Sequence, residues 1–158
     1  MNNKNVLLSF VLIFCLVIFI FLKSGLFDRK ENNIFTNNEI DKFCINNYCL
    51  EKNNNVWFVV EGNNKDEAKV EMIKIYLDKF KKISTDDLIS TNPSKLNSFG
   101  LGDNEKLILK IDNKKIEIGN VGGSFDQTYF RKENENTVYL TKVTIDKNLI
   151  MNIDYWKK

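Results

Sequence analysis

Residues 6–22, opening on Val6 and closing on Leu22, read VLLSFVLIFCLVIFIFL, an unbroken apolar run in which Ser9 and Cys15 are the most polar members. As a helix rising 1.5 Å per residue the run extends roughly 26 Å, and residues 24–27, with Lys23 snorkelling its ammonium to the interface, lengthen it to about 22 residues. That length crosses a bilayer with some tilt. A cleavable signal needs small residues at the end of its apolar region, and Phe21, Leu22, Lys23, Ser24 and Gly25 supply no such pair. Nor is there a lipid-attachment box, because Leu12, Ile13 and Phe14 ahead of Cys15 are too bulky. The expectation is an uncleaved membrane anchor over residues 1–27, with Cys15 an inert lipid-facing thiol. Lys4 and the α-amine precede the run while Lys23, Arg29 and Lys30 follow it, so flanking charge leaves the direction of insertion open.

The remaining cysteines bear on that direction. Cys44 and Cys49 enclose Ile45, Asn46, Asn47 and Tyr48. Asparagine tolerates the φ > 0 positions of a two-residue turn, so Ile45 is expected to pair with Tyr48 and Cys44 to face Cys49 in a hairpin. A non-hydrogen-bonded pair of that kind has Cα atoms about 4.5 Å apart, within reach of a disulfide. The even count and the spacing favour a structural disulfide, which points to an oxidising, extracytoplasmic space. Two free thiols on a hairpin are the alternative. A redox C-x-x-C is not present, and with no histidine in the chain a zinc site would need a second copy to complete its ligands.

Charge narrows the function classes. The chain holds 23 basic and 21 acidic residues; Lys4 and Lys23 belong to the anchor, so the remainder is balanced. A domain without a basic stripe or alternating aromatic and basic positions is not built to bind nucleic acid.

Residues 28–39 read as a polar tether and residues 40–158 as one compact domain, long enough for a core. Residues 40–45 and 48–52 form the first expected hairpin and residues 56–61, VWFVVE, a third strand. Asn63 or Asn64 would cap a helix running to Lys82, with Asp66 and Glu67 in its first turn and an apolar stripe of Val70, Ile73, Leu77 and Phe80 widened by Met72, Tyr76 and Ile83. Ile75 falls on the far face, expected exposed. NPSKLNSFG reads as a short helical unit stopped by Gly100 and pinned by Leu96, Phe99 and Leu101. Residues 106–111 and 115–118 alternate cleanly around Asp112 and Asn113, the clearest hairpin of the chain. Strands over 128–131 and 137–141 follow, and Thr144 would cap a last helix through Ile150. The expected fold class is α+β: an N-terminal transmembrane helix, then one small domain of mostly antiparallel sheet with one long helix packed on it.

The order Trp57, Phe99-Gly100-Leu101, Ile118-Gly119, Tyr129-x-Arg131 and Val138-Tyr139 resembles the domain of unknown function 4340 family over about residues 40–150. These are folding residues in order rather than a catalytic signature. Gly102 stands where such proteins usually carry aspartate, and Asp103 follows one place later. The resemblance implies an extracytoplasmic module behind an N-terminal anchor, with some similar proteins occurring beside gliding-motility or exporter machinery, and it carries over no catalytic residue.

No catalytic residue, cofactor or metal is expected. The GNVGGS stretch at 119–124 lacks the lysine of a phosphate-binding loop and reads as a turn requiring φ > 0. Asp86 with Asp87, and Glu39 with Asp41, read as solvated acidic pairs rather than an acid/base couple. Trp57 is expected in the core and Trp156 as a docking residue for the C-terminal tail. The functional expectation is a membrane-anchored extracytoplasmic binding or accessory domain with a protein partner in the cell envelope. The alternatives are an envelope hydrolase or small-ligand-binding domain with an unrecognised pocket, and a cytoplasm-facing regulatory domain.

Overall fold

The computed structural model describes residues 13, 14, 16, 32–37 and 39–158. The chain divides into two units, Met1–Lys30 and Glu31–Lys158. Of the first, Ile13, Phe14 and Leu16 are described and are helical. The rest of the apolar run from Val6 to Leu22 lies outside the described residues, among which no helix is long and apolar enough to cross a membrane.

In the second unit the described residues form a nine-stranded sheet in which every pairing is antiparallel. The strands are β1 (Lys42–Ile45), β2 (Tyr48–Asn53), β3 (Val56–Glu61), β4 (Asn64–Glu67), β5 (Asp87–Ser90), β6 (Leu107–Ile111), β7 (Lys114–Val121), β8 (Thr128–Lys132) and β9 (Val138–Thr141). Their spatial order is β4-β3-β2-β1-β6-β7-β8-β9-β5. Two meanders, each of four consecutive strands, therefore meet where β1 pairs with β6, and β5 lines the far edge beside β9. Helix α1 (Val70–Lys81) connects β4 at one edge to β5 at the other. Its rise is only about 18 Å against roughly 38 Å for nine flat strands, so sheet twist and the flanking residues cover the difference.

One face of the sheet carries the core. Alternate residues Phe43, Ile45, Leu50, Trp57, Val59, Leu107, Leu109, Ile111, Ile116, Ile118 and Phe130 are buried with Ile73, Tyr76 and Phe80 of α1. Val70, Met72 and Leu77 widen the helical stripe as half-buried flanks, and Ile75 is exposed, as the 3.6-residue period requires. The turn asparagines behave as expected of residues that tolerate left-handed backbone: Asn46 has φ 49° and Asp112 φ 53°. Asn54 and Asn55, at φ 48° and 66°, turn β2 into β3 in the same way.

Three expectations are corrected and a fourth is extended. The helix does not begin at Asn63 or Asn64. Residues 64–67, NKDE, instead form β4 on the free edge of β3, and α1 starts after Lys69 with no side-chain cap. The edge strand is held by the tail, through the Ala68–Lys157 bridge and ion pairs from Lys157 to Asp66 (3.1 Å) and Lys158 to Glu67. Second, residues 32–37 are not a loose tether: Ile34 and Phe35 are buried, and Ile34 N–H donates to Ile83 O (2.8 Å) beside an Asn33–Ser84 bridge. Two apolar side chains suffice to draw this stretch into the core, because each buried side chain is worth about 1.5–3 kcal/mol. Third, helix α2 (Lys147–Met151) is capped by Asp146, whose carboxylate accepts from Asn148 N–H and Leu149 N–H, while the Thr144 hydroxyl donates to Phe125 O. A carboxylate suits a helix N-terminus better than a hydroxyl already engaged elsewhere. Fourth, Trp156 does more than dock the tail. It is fully buried at the centre of the layer, its ring against Phe43, Tyr76 and Tyr155, and its Nε1–H donates to Tyr48 OH (2.8 Å) and Ile150 O (3.0 Å).

Candidate functional site

The face of the sheet away from α1 carries the charged residues. A cross-strand row runs from Cys49 through Cys44 to Lys110 and Lys115. Cys44 and Cys49 are joined in a disulfide with Cα atoms 3.9 Å apart, closer than in an unbridged pair. Two adjoining clefts open along this row and share Asn113, Lys115 and Glu133. The smaller, about 460 Å³, lies between the disulfide and Glu133 and is bounded by Asn46, Ile108 and Lys110. The larger, about 580 Å³, extends past Lys132 and Glu135 to Asn32 and Thr85.

Charge in the clefts is mixed but tilted to the basic side, with four lysines against two glutamates. Lys114 donates to Ile34 O, Lys115 pairs with Glu133, and Lys132 lies 3.7 Å from Glu135. Lys110, directly opposite Lys115, is exposed and makes no ion pair among the described residues. Like charges facing each other across a ladder destabilise it by up to about 1 kcal/mol.

One row further along, Glu117 of β7 is buried and held by two cations, Lys106 (2.9 Å) and Arg131. Arg131 also donates to Glu135 O (3.3 Å), and Lys106 reaches Asp103 (3.1 Å). The hydrogen bond to Glu117 raises the Lys106 pKa above its ordinary value. Lys147 behaves oppositely: it donates to Glu105 O (2.7 Å) and Gly100 O (3.4 Å), and burial lowers its pKa. This cluster pins strands together and ties α2 to the Gly100 loop.

The motif residues meet beside it. Phe99 packs on Tyr129 with ring centroids 4.8 Å apart, and Tyr139 stacks on Phe130 at 5.5 Å. Gly100 has φ 68°, the left-handed stop expected of it. Gly119 answers a different need from the one anticipated. It lies within β7 without a positive φ, and a Cβ there would overlap the Phe99 carbonyl oxygen and lie 3.0 Å from Leu101 Cγ. Neither Gly122 nor Gly123 has a positive φ either, so close approach rather than turn geometry explains Gly119. The Phe99-Gly100-Leu101 unit thus docks on Gly119, and Tyr129 holds it from the next strand through its ring on Phe99. At Gly102 a Cβ would overlap the Asn97 side chain, and the neighbouring Asp103 carries the ion pair to Lys106.

The paired acids are not brought together in either cleft. Asp86 accepts from Asn32 (3.0 Å), Asp87 lies 3.8 Å from Lys142, and Asp41 lies 3.4 Å from Lys52. Among the described residues no group of three His, Cys, Asp or Glu side chains is placed to hold a metal ion.

The two sheet edges differ. β4 is polar and exposed along its length and is tied down by the C-terminal lysines. β5, DLIS, pairs only with β9, breaks register between Leu88 and Ser90, and exposes Leu88 and Ile89. Neither β5 nor the Lys110–Lys115 pair was anticipated. The lysine pair follows from the hairpin register around Asp112 and Asn113, whereas β5 has too few residues to show a period.

No curated protein and no solved structure matches the chain. The model of the family described as a domain of unknown function, DUF4340, matches residues 50–158, which takes in the Trp57 strand, the Phe99–Gly119 docking unit and the Tyr129–Arg131 strand. Cys44 and Cys49 precede the matched region, so the disulfide is a feature of the adjoining hairpin. The chain belongs to the DUF4340 family.

Proposed function

We propose that this chain is a membrane-anchored extracytoplasmic domain that acts by binding, as an accessory component of an envelope complex whose protein partner adds an extended strand to β5. The observation that carries the reading is the asymmetry of the sheet edges. Unguarded edges pair with other chains, and proteins blunt them with charge, proline or cover. β4 is guarded in this way, while β5 presents unpaired backbone groups flanked by exposed Leu88 and Ile89. Strand addition draws affinity from main-chain hydrogen bonds and specificity from such flanking side chains. The apolar run at residues 6–22 supports the anchor, and the Cys44–Cys49 disulfide supports an oxidising compartment.

The test is photo-crosslinking in intact cells, with a photoreactive amino acid replacing Leu88 on β5 or Lys65 on β4. An adduct with another envelope protein that forms from position 88 and not from position 65 is expected. No adduct from 88, or the same adducts from both edges, contradicts the reading.

A further inference from the structure

We infer that the smaller cleft, between the Cys44–Cys49 disulfide and Glu133, binds the phosphate group of an anionic ligand. The inference goes beyond the accessory role proposed above and does not rest on it.

Its lining offers donors. Asn46 Oδ1 accepts from Ile108 N–H (2.8 Å), and only the carboxamide oxygen can accept from an N–H, so the assignment of the amide follows from its bonding. The Asn46 NH2 is thereby left as a donor on the cleft wall. Asn46 N–H in turn donates to Ile108 O (2.9 Å), which fixes the residue against β6 from both sides. Its left-handed backbone, φ 49°, is the turn conformation that sets this placement. Lys110 and Lys115, directly paired across β6 and β7, line the same cleft. Lys115 shares its ammonium with Glu133, and Lys110 has no carboxylate partner among the described residues.

Lys110 and the fixed Asn46 amide donor border a cleft in which Lys115 is already paired with Glu133, so Lys110 is the cation left to meet an incoming anion. An oxyanion seated in the cleft pairs with Lys110 and accepts from the Asn46 NH2. Lysines are compact point charges without the planar fork of arginine, which suits a tetrahedral phosphate rather than bidentate capture of a planar carboxylate. The open cleft, about 460 Å³, leaves room for a substituent on the phosphate.

The experiment uses the full chain in phosphatidylcholine nanodiscs, with backbone and side-chain amide resonances followed by NMR during titration with inorganic phosphate and with glycerol 3-phosphate. A parallel sample carries phosphatidylglycerol in the nanodisc. Saturable shifts at Asn46, Lys110 and Lys115 are expected, weakening at least tenfold in Lys110→Gln and unchanged in Lys95→Gln, an exposed lysine on the 93–95 turn. A response to glycerol 3-phosphate identifies a soluble phosphoester as the source, and a response confined to phosphatidylglycerol identifies a lipid headgroup. No saturable shift with any probe, or equal binding by Lys110→Gln, overturns the inference. Because Lys110 is exposed, its replacement leaves the core intact, and the amide spectrum of the variant verifies that directly.

Discussion

Trp156→Ala is expected to lower the stability of the domain by about 3–5 kcal/mol, the cost of emptying a fully buried large aromatic site. On a domain of this size that corresponds to a fall in Tm of about 10–20 °C, measured on the full chain in detergent. The residue stands third from the end of the chain, yet its ring contacts β1 through Phe43 and α1 through Tyr76. It also completes a buried polar knot. Tyr48 OH donates to Ile150 O and accepts from the indole N–H, and burial raises the Tyr48 phenol pKa well above its ordinary value. Trp156→Phe keeps most of the apolar volume and removes the donor. Tyr48 and Ile150 remain bonded to each other, so that variant is expected to lose only about 1–2 kcal/mol. An alanine variant within about 1 kcal/mol of the parent would show that the tail is an appendage rather than part of the core.

Glu117→Ala is the second large effect, about 3 kcal/mol. Its carboxylate is buried and lies between Lys106 and Arg131, which are themselves largely covered. Removing one member of a buried ionic group leaves the other charges desolvated without compensation, and such losses run to about 3–5 kcal/mol. The value at the low end reflects Asp103, which stays within reach of Lys106 (3.1 Å), and Glu135 O, which stays within reach of Arg131 (3.3 Å). Glu117→Gln retains shape and hydrogen-bonding capacity and is expected to lose roughly half as much. Urea denaturation of the three proteins separates the cases. A loss below about 1 kcal/mol for the alanine variant would mean that solvent already screens the cluster.

How much of this was legible in the sequence depends on whether the deciding contact was local. The β1–β2 and β6–β7 hairpins were readable because their turns rest on Asn46 and Asp112, residues that tolerate left-handed backbone, and because apolar residues alternate on either side. The α1 stripe was readable from its 3.6-residue period. Residues 64–67 read as the first helical turn because Asp66 and Glu67 suit a helix N-terminus as well as they suit a charged edge strand. What decides between them is the open edge of β3 and the ion pairs from Lys157 and Lys158, some ninety residues away in sequence. The same holds for the stretch with buried Ile34 and Phe35, where Ile34 N–H meets Ile83 O. The family pattern was visible as an order of residues. Its physical content, that Gly119 lets the Phe99 carbonyl lie against β7, required the strand and the docking unit to be seen together. The cleft is the least legible part, since its meaning depends on β1 lying beside β6 and so bringing Asn46 and the disulfide to Lys110.

The most direct test of the account concerns the compartment, because the proposed role requires the domain to stand outside the cytoplasm with its disulfide formed. In a Cys15→Ser background only Cys44 and Cys49 can react, and a membrane-impermeant maleimide applied to intact cells reports both their redox state and their side of the membrane. Labelling that appears on intact cells only after reduction is the predicted result. Labelling that needs lysis and no reductant would place two free thiols in the cytoplasm and contradict the account.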